Sequence, residues 1–157
     1  MRHTRSRQYG ATLIIAMIIL LVLTMLGVTA LNTSTLEEKM SANSQEVARA
    51  FQAGEAGIDV AFTDPNAFNL NAPVAGKSAV YGPYAAGANY TVTFIRATNP
   101  PVGSLYSATS FSAFHFNILS DAASRVTDPG GGVALTLEDD AARITLDGGV
   151  YQIGPKL

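Results

Sequence analysis

The 157-residue sequence contains no cysteine and no tryptophan, and only 14% of its residues are charged. The absence of cysteine excludes disulfide bonds and thiolate metal sites, but it does not fix the compartment, because many exported domains also lack cysteine. Aromatic residues make up 8% of the chain, which disfavours a base-stacking surface for nucleic acid.

The charges that are present are unevenly distributed along the chain. The net charge is −2, yet the first ten residues contain Arg2, Arg5 and Arg7 and no acidic residue. The remainder therefore has an excess of acidic residues and no basic patch. We expect no nucleic-acid partner, because such binding depends on clustered Lys and Arg.

Motifs of catalytic and metal sites are also missing. The sequence has no Gly-x-Ser-x-Gly motif and no P-loop. His3 lies in the basic leader, and His115 lies in an apolar segment without a nucleophile motif, which favours a sheet residue over a general base. The acidic residues Asp121, Asp128 and Glu138-Asp139-Asp140 fit no EF-hand, so solvated turns are expected rather than a cation site. We expect no catalytic residue, no metal and no cofactor.

The sequence does contain one long apolar run, from Ala11 to Leu31, without charge or proline. As a helix it would span about 30 Å, which is the thickness of a bilayer hydrocarbon core. It lacks the polar face that a soluble surface helix needs. The basic leader predicts that the N-terminus stays in the cytoplasm and the remainder is exported. The residues alone leave open whether this segment is an uncleaved anchor or follows a processed leader.

Helical periodicity continues from Leu31 to about Phe62, and Thr63-Asp64-Pro65 predicts the end of the helix. Thr35 and Glu38 fit a capping box, which could begin a separate helix. The apolar stripe of this stretch is predicted to consist of Met40, Ser44, Val47, Phe51, Gly54, Ile58 and Phe62. A row of small residues is predicted to mark where the helix lies close to a sheet; it consists of Ala50, Ala53, Gly54, Ala56 and Gly57.

The rest of the chain predicts a small β-rich domain. Asn66 to Gly87 is predicted as a loop, and Gly148-Gly149 as a hairpin turn. Four or five antiparallel strands behind a long N-terminal helix give an α+β fold. The predicted strands are Asn89–Ala97, one or two strands within Tyr106–Ser120, Val133–Leu137, Arg143–Leu146 and Val150–Ile153.

A basic leader ending in glycine, an apolar segment and an amphipathic helix together resemble the type IV pilin and pseudopilin superfamily. Two segments resemble the N-terminal module of PilX-class minor pilins in particular. Their motif residues are Leu36, Glu37, Glu38, Lys39, Met40, Phe51, Gln52, Ala53 and Glu55.

The resemblance implies that a prepilin peptidase cleaves between Gly10 and Ala11, and that Ala11 is then N-methylated. It implies a type IV pilin-like fold, with one helix of a transmembrane half and an amphipathic half packed on a small antiparallel sheet. The implied divisions are leader 1–10, transmembrane and filament-core helix 11–31, amphipathic continuation 32–63 and periplasmic β-rich domain 64–157. The implied filament-packing residues are Ala11, Thr12, Leu13, Ile14 and Ile15.

Ile15 departs from the pattern of major pilins, which usually carry Glu at this fifth mature position and Phe at the first, here Ala11. In the family that Glu neutralises the N-terminal ammonium of a neighbouring subunit, and a buried charge is unfavourable without a partner. The resemblance therefore implies a minor pilin at or near the pilus tip that primes assembly, and so supports twitching motility and cell adhesion.

The partners that the resemblance implies are other minor pilins, the major pilin, the prepilin peptidase, the inner-membrane assembly platform, membrane lipid and a candidate tip adhesin. The implied location is the bacterial inner membrane, with a single span and a periplasmic C-terminal domain, and the extracellular pilus after assembly. Two alternatives remain open at this point. One is a tip pseudopilin of a type II secretion system, and the other is a membrane-anchored periplasmic enzyme or binding protein.

Overall fold

A computed structural model describes residues 9–78, 80, 85–132 and 134–157. The chain divides into two compact units, Met1–Ala42 and Asn43–Leu157. A single helix, α1, runs from Tyr9 to Thr63. The Thr35 hydroxyl donates a hydrogen bond to the Leu31 carbonyl one turn earlier, at 2.8 Å. Thr35 therefore lies inside a continuous helix, and the alternative of a second helix that begins there is wrong.

α1 ends at Thr63, where the sequence predicted its end. Pro65 disfavours helical geometry at the preceding residue. The Asp64 amide still donates to the Val60 carbonyl, at 3.0 Å, and the Asp64 carboxylate accepts the Asn66 amide, at 2.9 Å. This side-chain turn satisfies a backbone donor just beyond the helix, as Asp commonly does in turns.

A four-stranded antiparallel sheet and a two-stranded ribbon complete the fold, which is the predicted α+β arrangement of a long helix and a small sheet. The order in the larger sheet is β1-β2-β3-β6, and β4 pairs with β5 in the ribbon. The strands are β1 (Val74–Lys77), β2 (Gly87–Thr98), β3 (Phe111–Ala123), β4 (Val126–Thr127), β5 (Thr136–Leu137) and β6 (Arg143–Pro155).

The predicted turn at Gly148-Gly149 is wrong. β6 continues through both glycines, with Gly148 opposite Ile118 and Gly149 opposite Asn117. β3 offers a partner residue along the whole length of β6, so pairing across the sheet overrides the local turn preference of two glycines.

Other strand boundaries also differ from the sequence pattern. β1 lies inside the predicted loop Asn66–Gly87, and β3 begins only at Phe111. β5 is shorter than the predicted strand Val133–Leu137, whose first residue lies outside the described residues, as do residues 79 and 81–84 of the loop. The predicted strand Asn89–Ala97 is confirmed within β2.

Within the second unit, α1 packs on the sheet through small residues. Its buried row consists of Ala50, Ala53, Gly54, Gly57 and Ala61, whereas Val47, Phe51 and Phe62 of the predicted stripe are exposed. A Cβ atom added to Gly57 would lie 2.5 Å from Ser120 Oγ and 2.8 Å from Ala88 Cβ. Large side chains cannot fit where the sheet approaches this closely. The prediction that the small residues lie against a sheet is confirmed for all of them except Ala56, which is exposed.

Ser120 of β3 fixes this close approach. It is fully buried, and its hydroxyl donates to the Gly54 carbonyl of α1 at 2.9 Å. Farther along the sheet, Phe116 and Ile118 fill the core, and Phe68 meets Phe116 edge-on with ring centroids 5.2 Å apart. Small residues thus form one part of the contact between helix and sheet, and aromatic residues fill another part of the core.

Tyr90 of β2 connects the sheet to the end of α1. Its hydroxyl donates to the Asp64 carboxylate at 3.2 Å. Burial raises the pKa of Tyr90 above 10.0, and the hydrogen bond to Asp64 and the negative charge of that carboxylate raise it further.

Replacing Gly57 with Ala should destabilise the protein although alanine favours helices. Helix propensity alone would stabilise by about 1 kcal/mol, but Ser120 and Ala88 leave no room for a methyl group, and overpacking usually costs about 1–3 kcal/mol. The measurement is the free energy of unfolding of the detergent-solubilised chain.

Gly54→Ala is the matched control for Gly57→Ala, because its added Cβ would meet mainly Leu146 Cδ1, the far end of a flexible side chain, at 2.8 Å. We expect Gly54→Ala to be the better tolerated of the two. Equal effects, or a Gly57→Ala protein more stable than the parent, would contradict the packing described.

Tyr90→Phe should change how the free energy of unfolding depends on pH in the alkaline range. Because the folded-state pKa is raised, the stabilisation by the protonated phenol is complete below pH 10.0 and is lost as the pH rises through the folded-state value. Tyr90→Phe should lose about 1 kcal/mol near neutral pH, where the hydrogen bond to Asp64 is intact, and should then show a shallower loss above pH 10. Parallel curves for the two proteins above that pH would be inconsistent with this prediction.

Candidate functional site

The most prominent surface of the first unit is the apolar segment Ala11–Leu31 of α1, which we call the apolar wall. Every residue of this segment is exposed, and Leu13 and Ile15 expose 65% and 57% of their surfaces. By length and composition α1 is able to cross a membrane, with a mean hydropathy of 2.8 over its most apolar window. Apolar surface in water is unfavourable by about 25 cal/mol per Å², so this wall needs lipid or other protein to cover it.

The polar side chains within the apolar wall are satisfied inside the helix. The Thr24 hydroxyl is within hydrogen-bonding distance of the Leu20 and Leu21 carbonyls, at 3.0 and 2.8 Å. Thr29 donates to the Met25 carbonyl at 2.9 Å. Serine and threonine hydroxyls that donate to a carbonyl one turn earlier have a hydrogen-bond partner without water. The threonines therefore do not prevent residence of the helix in a bilayer.

The structure places the predicted processing and packing residues at the start of α1. Gly10 lies within the helix, and Ala11, Thr12, Leu13, Ile14 and Ile15 are all exposed. Exposed positions are available to other helices in an assembly. Cleavage at Gly10, methylation of Ala11 and filament packing by these residues stay predictions.

The family-motif residues divide between an outward and an inward set. Ala53 is 8% exposed and packs in a small cluster with Ala88 and Ala122 of the sheet. The other members are exposed and so are free to act outside the chain; they are Leu36, Glu37, Glu38, Lys39, Met40, Phe51, Gln52 and Glu55.

Large apolar residues on the C-terminal part of α1 extend the outward set. Val47, Phe51 and Phe62 expose 48%, 42% and 52% of their surfaces. We call these three residues the outer stripe. Periodicity groups them with Gly54 and Ile58 on one apolar stripe, but it does not say which of these residues face the sheet. The neighbouring row of alanines and glycines marks that side, because small residues let another element come close.

Several charged groups of the second unit form ion pairs within the chain. Lys77 and Asp128 form an ion pair at 2.5 Å, and the hydrogen bond from Lys77 lowers the pKa of the Asp128 carboxyl, with a smaller contribution from the Gly130 amide. Arg125 pairs with Asp140 at 2.9 Å. The described residues contain no group of three or more His, Asp or Glu side chains arranged to hold a metal ion.

The architecture is that of a type IV pilin-like protein. A long N-terminal helix is apolar and exposed in its first half, and its second half packs on a small antiparallel sheet. Residues 10–59 match the family model described as PilX N-terminal. Over this N-terminal region, about a third of its length, the chain is similar to the PilX-class type IV pilins. No curated protein and no solved structure gives a significant match.

The match to this family model supports a structural role in the type IV pilus and association with other pilus components. The long apolar helix indicates anchoring in a membrane. The matched region covers both motif segments and ends within the last turns of α1. Its exposed residues are thus the first candidates for contacts with other pilins.

Phe51→Ala should weaken association with other pilins and leave the fold intact. The Phe51 side chain is 42% exposed on the outer stripe, so its loss should cost less than about 1.5 kcal/mol of folding stability. The measurement is recovery of other pilins with the tagged protein from detergent extracts, alongside thermal unfolding.

Phe116→Ala is the comparison for Phe51→Ala. Phe116 is 2% exposed, so this change should destabilise the fold by about 3–5 kcal/mol. A Phe51→Ala protein that unfolds like Phe116→Ala, or that recovers pilins as well as the parent does, would count against an assembly role for the outer stripe.

Proposed function

We propose that the protein is a minor pilin that primes type IV pilus assembly and occupies the pilus tip. The observation that carries the proposal is Ile15 in a PilX-type N-terminus. A subunit without an acidic side chain at this position has nothing to pair with the terminal ammonium of another subunit, and an unpaired charge in a helical bundle is strongly unfavourable. The tip is the one place where no such pair is required of it.

The proposed maturation step is cleavage between Gly10 and Ala11 by a prepilin peptidase, followed by N-methylation of Ala11. It leaves the apolar segment Ala11–Leu31 attached, unlike the removal of an ordinary signal peptide. The leader carries Arg2, Arg5 and Arg7, which supports a cytoplasmic N-terminus and a periplasmic second unit.

The apolar wall of α1 serves in two environments in this proposal. Lipid covers it in the inner membrane, and the helices of other pilins cover it after extraction by the assembly platform. Because lipid tails are as apolar as leucine, the exchange depends on side-chain packing rather than on escape from water. The partners in this proposal are the other minor pilins, the major pilin and the assembly platform, together with a tip adhesin.

Processing is tested by sequencing the N-terminus of the protein purified from its native membrane. We expect the mature chain to begin at Ala11 with a methylated amine, and Gly10→Leu to retain the leader and accumulate unassembled in the membrane. Gly27→Leu is the control that should still be processed. It is a bulky change at a helix position where an added Cβ would have no atom within 4 Å outside the local helix backbone. A native protein that begins at Met1 would refute the proposal.

Deletion of the protein separates a pilus role from a role in type II secretion. We expect the deletion strain to lose pili and twitching and still to secrete exoproteins. Loss of secretion with normal pili would instead assign the protein to a secretion system.

A further inference from the structure

The face of the sheet that points away from α1 carries three polar side chains in one row. Arg96 of β2 lies opposite His115 of β3, and His115 lies opposite Tyr151 of β6. Residues directly opposite on antiparallel strands have Cβ atoms about 5 Å apart. The guanidinium, imidazole and phenol therefore form a donor row about 10 Å wide across three strands.

A β-bulge in β2 places Arg96 in this row. Phe94 faces the core opposite Phe116, and the register then shifts so that Arg96, not Ile95, lies opposite His115. Without the extra residue, Arg96 would point to the same side as Phe94, because side chains alternate along a strand. Bulges commonly re-aim a side chain next to a functional site.

No carboxylate in the described part of the chain forms an ion pair with Arg96. Of the five Lys and Arg residues in 64–157, the described structure pairs Lys77, Arg125 and Arg143 with acids, but neither Arg96 nor Lys156. The acidic residue of β6, Asp147, lies four positions before Tyr151, or about 13 Å along the strand, so it is distant from the row that contains Arg96.

The donor row borders a shallow cavity of about 420 Å³. His115 Nε2 lies 2.8 Å from the Thr98 hydroxyl, which holds the imidazole in place. Tyr151 is 51% exposed, and its ring centroid lies 5.9 Å from that of His115. Gly149 has no side chain, so one side of the Tyr151 ring is left uncovered in the cavity. The cavity is lined by Ile95, Arg96, His115, Phe116, Gly149, Val150 and Tyr151, with no acidic residue.

We propose that this donor row binds an acidic polysaccharide. The Arg96 guanidinium matches a carboxylate or sulfate group in a bidentate pair. His115 and Tyr151 are placed to hydrogen-bond the hydroxyl groups of the same sugar, and the exposed tyrosine ring offers a flat apolar surface beside Gly149. A protein partner would favour a deep apolar pocket for an anchoring side chain, and this shallow cavity offers none. The proposal does not depend on a position at the pilus tip.

Binding of the full chain in detergent to immobilised polygalacturonate tests this proposal, with neutral dextran as the reference polymer. We expect saturable binding to polygalacturonate that weakens with added salt, and no binding to dextran. Arg96→Ala should weaken binding about tenfold or more, and Tyr151→Phe, which keeps the ring, should weaken it less. Heparin in place of polygalacturonate distinguishes sulfate from carboxylate recognition, and binding of either supports the proposal.

Lys156→Ala is the matched control, because Lys156 is the other cation in residues 64–157 for which the described structure shows no acidic partner. An equal loss in Lys156→Ala and Arg96→Ala would show nonspecific charge attraction and overturn the proposal. Equally tight binding of polyglutamate would overturn the proposal in favour of an acidic peptide. Full competition by millimolar phosphate would also overturn it, because the donor row would then be a simple anion site. Thermal unfolding of Arg96→Gln, which keeps a polar side chain, shows whether any loss reflects misfolding; a folded Arg96→Gln protein with unchanged affinity would also overturn the proposal.

Discussion

The close packing of a glycine and alanine row of α1 on β3 is the constraint on which the second unit depends. Ser120 is buried beneath Gly57 and bonds the Gly54 carbonyl, so the helix and the sheet share a hydrogen bond where no larger side chain fits. A buried hydroxyl without a partner would be destabilising. The helix carbonyl therefore makes the close contact possible, and the contact in turn decides which face of α1 is internal.

The outward position of the large apolar side chains follows from this choice of internal face. Because small residues occupy the contact with the sheet, Phe51 and Phe62 remain on the surface. Together with the uncovered wall from Ala11 to Leu31, they give the helix far more apolar surface than a protein alone in water would expose. The proposed role as a pilin accounts for this surface, since a membrane and then other pilins would cover it.

The sequence predicted the helix well and the sheet less completely. The end of α1 at Thr63 follows from a local rule about Pro65, so it could be predicted from the residues. Its continuity through Thr35 was implied by the resemblance to pilins, because the residues alone left a second helix open. The strand through Gly148-Gly149 could not be predicted, because its partner is the distant strand β3. The position of Arg96 was equally out of reach, since alternation along β2 would place it with Phe94 and only the register against β3 reveals the bulge. Ser120 gave no signal at all, because an isolated serine in an alternating strand does not indicate a helix above it.

The position of the protein along an isolated pilus is the most direct test of a tip location. An affinity tag at the C-terminus, beyond Pro155, can be labelled with gold and viewed by electron microscopy on sheared pili. We expect label at one end of a filament and none along its length, because Ile15 cannot supply the charge pair that an internal subunit needs. Label distributed along the shaft would contradict a tip location.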